Sequence, residues 1–94
     1  MRTKTRPFDP AEHLATPEAQ AEYISAALET GDPAFIADSL GVVARARGMS
    51  QLARDTGLRR ESLYKALSAE GNPEFATIMK VVQALGMKLN AEAA

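Results

Sequence analysis

Residues 49–68 constrain this chain more than any other stretch. They hold two short helical runs, 51–56 and 60–68, separated only by Gly57-Leu58-Arg59. Two helices that meet at a wide angle across so short a turn need a small side chain where they touch, and Ala53 provides one. The turn also needs a residue that tolerates positive φ, and Gly57 supplies it. Leu52, Leu58, Leu63 and Leu67 then fall inward, while Arg59, Arg60, Glu61, Tyr64 and Lys65 face out. Ser50 is the candidate N-cap of the first run. This is the spacing of a DNA-binding helix-turn-helix, with 60–68 as the helix for the major groove. Helical proteins that bind no DNA also carry Ala and Gly at such joints, so the spacing needs support from charge.

Net charge is −1, which by itself argues against nucleic acid, but the total hides a segregation. Arg2, Lys4 and Arg6 form a basic tip. From Pro7 to Ala44 there is no Lys or Arg, while Asp9, Glu12, Glu18, Glu22, Glu29, Asp32 and Asp38 are acidic. The sign then reverses: Arg45, Arg47, Arg54, Arg59, Arg60 and Lys65 stand against only Asp55 and Glu61. An acidic front joined to a basic centre suggests two partners of opposite charge. The alternative for the acidic residues is a solvated helix face.

A chain of 94 residues has room for one core. Without cysteine there is no disulfide framework, zinc-finger spacing or thiol nucleophile. No apolar run approaches membrane-spanning length and no charged-then-apolar leader opens the sequence, so a cytoplasmic protein that does not engage membranes is expected. His13 is the only histidine, and no nucleophile–base pair, metal-ligand cluster or phosphate-cradling loop is apparent. Neither an enzyme nor a cofactor is expected.

The remaining elements follow from local signals. Residues 1–7 read as a tail, with Phe8 and Leu14 as anchors for the short piece that follows. Thr16-Pro17-Glu18 opens a helix over 17–30 that carries Tyr23, Ile24, Ala27 and Leu28 as a stripe and stops at Gly31. Asp32-Pro33 repeats the signal for a helix over 33–47, with Phe35, Ile36, Leu40, Val43 and Ala44 inward and Gly48 as terminator. Gly41 inside it costs up to about 1 kcal/mol against Ala, so it marks a close helix crossing. Arg45 and Arg47 either offset the helix dipole or reach phosphates. After a loop at 69–73, a helix over 74–85 places Phe75, Ile78, Val81, Val82 and Leu85 on one face. Residues 87–90 alternate as a short strand would, which needs a partner such as the same segment of a second chain. Met87 to Leu89 is therefore the candidate dimer contact. The fold expected is all-α, of five to six helices.

The run from Ala44 through Ala53, then Thr56-Gly57-Leu58, Arg60 through Ser68, Gly71-Asn72-Pro73 and Ala84-Leu85-Gly86 resembles the Xre/lambda-repressor-like helix-turn-helix family. More narrowly, it is similar to the "probable addiction module antidote protein" branch of HigA-like antitoxins. Phe8-Asp9-Pro10-Ala11-Glu12 and Leu28 through Pro33 extend the resemblance to about residues 8–89. It implies a lambda-repressor-like bundle and a type II antitoxin. Such a protein neutralises a small basic RelE/HigB-type toxin, a ribonuclease acting on mRNA or a relative, and represses its own operator as a homodimer. It also implies a neighbouring toxin gene. Relatives often carry Ser where Arg59 stands; Arg59 cannot cap with an oxygen, which makes it a phosphate contact.

In that setting Ser50, Gln51 and the amides of the first helix meet phosphates of double-stranded DNA. Arg60 or Lys65 donates to guanine, and Glu61 accepts from cytosine or pairs with Lys65 four residues on. Tyr64 packs on a thymine methyl, reaches a phosphate, or is half-buried with its hydroxyl at the rim. Residues 1–31 are the candidate toxin-binding segment, with Phe8 and Tyr23 as apolar anchors, and residues 32–94 the DNA-binding domain. The competing reading is a stand-alone Xre-type regulator without a toxin.

Overall fold

The computed structural model describes residues 14–94. Five helices follow one another: α1 (Pro17–Glu29), α2 (Pro33–Arg47), α3 (Met49–Thr56), α4 (Arg60–Ala66) and α5 (Phe75–Ala84). The two cap-plus-proline signals work as side-chain chemistry requires. The Thr16 hydroxyl accepts from the Ala19 amide at 3.1 Å, and one Asp32 carboxylate oxygen accepts from Ala34 at 3.1 Å and Phe35 at 3.4 Å. Each bond satisfies amides that the first turn of a helix otherwise leaves open.

One core joins all five helices. Leu14, Ile24, Leu40, Val43, Leu52, Leu63, Leu67, Val81, Val82 and Leu85 form a single buried cluster. Each fully buried leucine contributes about 1.5–3 kcal/mol of transfer free energy. α2 and α3 share the centre: α2 packs against α1, α3 and α4, and α3 also packs against α4 and α5. Gly41 is where α2 meets the end of α4: a Cβ there would overlap the carbonyl oxygen of Leu67 and lie 3.2 Å from its carbon. The missing side chain lets two backbones touch, as the interior glycine suggested.

Several expectations change. No strand occurs among the described residues, and 87–90 are irregular. The Gly86 amide donates to Gln83 at 3.0 Å and the Met87 amide to Val82 at 3.0 Å, which is a Schellman termination of α5. It occupies the Met87 amide and turns its side chain onto the core, so the alternation there serves a helix stop. Ser50 is not an N-cap. Gly48 holds that position, α3 begins two residues earlier than expected, at Met49, and no side-chain cap bond forms. The second helix of the corner ends at Ala66 rather than Ser68, capped by Leu67.

Three apolar residues assigned to inward stripes are exposed: Leu28, Phe35 and Phe75. Phe35 lies one residue before Ile36, about 100° around the helix, which carries it past the edge of the buried face. Phe75 opens α5, one turn ahead of the segment that reaches the core. The basic tip, Phe8, Asp9, Glu12 and His13 lie outside the described residues.

Candidate nucleic-acid interface

The corner between α3 and α4 is built by four residues. Gly57 takes φ +76°, and its amide bonds back to Ala53 at 2.9 Å. Only a residue without Cβ enters that conformation freely. The Thr56 hydroxyl donates to the Leu52 carbonyl at 2.8 Å and accepts from the Leu58 amide at 3.2 Å, which clasps the turn on both sides. Ala53 and Leu58 pack half-buried against the core. Arg59 is extended at the N-cap of α4, without a side-chain cap bond, and its carbonyl accepts from Leu63 at 3.0 Å.

Leu63 and Leu67 then fix which way α4 faces, since both are fully buried. Arg59, Arg60, Glu61, Tyr64 and Lys65 are all exposed, as the spacing predicts. Tyr64 is 41% exposed, and its ring lies against Arg60, whose guanidinium carbon sits 5.5 Å from the ring centroid. A cation over an aromatic face is attracted by the ring quadrupole, so each side chain limits the other's freedom. On α3, Ser50 and Gln51 are exposed. The Gln51 amide donates to Asp55 at 2.8 Å and its oxygen accepts from Arg54 at 2.8 Å. These bonds lay the Gln51 side chain along its own helix and leave its amide a second N–H for an outside acceptor.

The two arginines at the end of α2 divide. Arg45 is exposed. Arg47 donates from one terminal nitrogen to the Gln20 side-chain oxygen at 2.8 Å and to the Leu85 carbonyl at 2.9 Å. Gln20 is buried, and its amide in turn donates to the Leu14 carbonyl at 2.9 Å. Arg47 is thus a strut between α1 and the end of α5, not a free cation. Sequence reasoning missed Gln20, although a signal exists: Gln20, Ile24 and Ala27 stand at i, i+4 and i+7 on one face. Tyr23, a candidate partner anchor, is half-buried against the core.

No helix among the described residues is long and apolar enough to cross a membrane. Residues 4–93 match the family described as "Probable addiction module antidote protein", and an antidote implies a toxin as partner. The chain is 47% identical over 92 residues to a Haemophilus influenzae protein named only "Uncharacterized protein", covering 98% of this chain and 95% of that one. No solved structure matches. With the match running almost end to end through every helix described above, the chain belongs to the probable addiction module antidote protein family.

Proposed function

We propose that this protein is the antitoxin of a type II toxin–antitoxin module. It neutralises a small basic RelE/HigB-like toxin and, as a homodimer with a lambda-repressor-like helix-turn-helix of the Xre type, represses transcription from its operator. The observation that carries the DNA half is the exposed row Arg59, Arg60, Glu61, Tyr64 and Lys65 on a helix anchored by two buried leucines. The toxin half is supported by the family description and by the acidic front of the chain.

α4 enters the major groove. Arg60 or Lys65 donates to guanine O6 and N7, Glu61 accepts from cytosine N4, and Tyr64 packs on a thymine methyl or a phosphate. Arg60 is held over Tyr64 beforehand, which lowers the ordering entropy lost on binding. Ser50, Gln51, the first amides of α3, and Arg59 take phosphates and set the register. One copy makes few base contacts, so two half-sites about one helical turn apart are expected.

Anisotropy titrations on operator and scrambled duplexes test this. Arg60→Ala costs about 1–3 kcal/mol on the operator and relaxes one base-pair preference, whereas Arg59→Ala weakens both duplexes alike. Curves for both variants that overlay the wild type refute the assignment, and one protomer per operator refutes the dimer. Co-purification with the product of the adjacent reading frame separates an antitoxin from a stand-alone regulator.

A further inference from the structure

An open apolar groove of about 570 Å³ runs between the α1–α2 corner, the loop after α4, and α5. Its floor includes Leu40 and Val82, and its lips carry Leu28, Pro73, Phe75 and Leu89. Phe75 is 70% exposed, and Leu28 and Leu89 are more than one-third exposed, so the lips present large apolar side chains to water. Such surface is costly in a protein that works alone. No lining residue belongs to α3 or α4. An occupant of the groove would therefore share no residue with the reading helix.

The surrounding charge selects the occupant. Asp32 is the only ionisable residue in the lining, and Glu29, three residues before it at the end of α1, is exposed. No Lys or Arg occurs from Pro7 to Ala44, and Lys88, next to Leu89, is the one basic residue adjoining a lip residue in sequence. A second copy packed by two-fold symmetry would bring this acidic corner against itself, and like charges across an interface are repelled. A basic partner is attracted.

We propose that this groove is the docking site for the toxin. It receives an apolar side chain that is flanked by Lys or Arg on the toxin's surface, with Phe75 and Leu28 as anchors and the α1–α2 acids as the attracting rim. The assignment rests on the antitoxin reading, and it locates toxin binding on the folded body, with α5 and the loop after α4 taking part as well as the front of the chain.

The test uses the full-length protein and, as probe, the small basic protein encoded by the adjacent reading frame, with affinities measured by calorimetry and operator binding measured in parallel. Phe75→Glu and Leu28→Glu are expected to weaken toxin binding at least about tenfold, the scale of a lost interface anchor. Operator affinity should stay within about twofold of the wild type. Phe75→Ala, at a site too exposed to threaten folding, should give a smaller loss in the same direction with an unchanged circular dichroism spectrum. If the wild type binds the probe and all three variants bind it equally well, the groove assignment is overturned while the antitoxin reading stands. If the wild type does not bind the probe, both fall. If Phe75→Glu converts a wild-type dimer to a monomer in sedimentation, the occupant is a second copy and the proposal is overturned.

Discussion

Gly41→Ala sets two effects of opposite sign against each other. In an exposed helix the change would stabilise by about 1 kcal/mol, because Ala loses less backbone entropy on folding than Gly. At Gly41 the new methyl would overlap the Leu67 carbonyl oxygen while lying 3.2 Å from the Leu67 carbon and 3.3 Å from the Arg45 guanidinium. The arginine can swing away, but the carbonyl belongs to the backbone that ends α4. Restoring ordinary contact requires roughly 1 Å of movement between α2 and α4, and overpacking of that kind costs about 1–3 kcal/mol. Because a backbone carbonyl cannot swing aside, the cost should fall in the upper part of that range; less the gain of about 1 kcal/mol this leaves a net loss of about 1–2 kcal/mol, or about 4–16 °C in melting temperature for a domain of this size. Because Leu67 caps α4, operator affinity of the folded variant should fall as well. Thermal unfolding followed by circular dichroism decides the matter. A melting temperature equal to or above the wild type would show that α2 and α4 do not touch through their backbones at Gly41.

Three further substitutions probe polar groups in and around the core. Arg47→Met removes the donor shared by Gln20 and Leu85 and should destabilise by about 1–3 kcal/mol in urea unfolding, whereas Arg45→Met, at an equally exposed site outside that pair of bonds, should change stability by less than about 0.5 kcal/mol. Equal losses would refute the strut. Ser39 is buried with a hydroxyl that finds no partner among the described residues, so Ser39→Ala should leave stability unchanged or raise it by about 1 kcal/mol; a clear loss in the same assay would mean that the hydroxyl is bonded.

What could be read from the sequence was what local chemistry decides. Thr16-Pro17 and Asp32-Pro33 start helices because a side-chain oxygen and a proline suit a first turn in any tertiary setting. Gly57 turns the corner because few other residues enter its φ. The row from Arg59 to Lys65 faces out because Leu63 and Leu67 leave it no other side. What could not be read depended on partners distant in sequence. Arg47 looked like any basic residue in a last turn until Gln20, 27 residues earlier, and Leu85, 38 residues later, came beside it. Phe75 looked like core by periodicity, yet it overhangs the body. Residues 87–90 alternate like a strand, but alternation carries no information about whether a neighbouring ladder exists to receive it.

The Gln20–Arg47–Leu85 strut has a consequence for how such a protein is lost. It ties the first described helix to the last through the end of α2, and Leu14 and Ile24 share their oily interior with Leu63 and Leu85. In that arrangement α1 cannot leave the body without opening the core that anchors α4. Unfolding that starts at α1 or at α5 would therefore open the core shared by all five helices, and under the function proposed above both activities would be lost together.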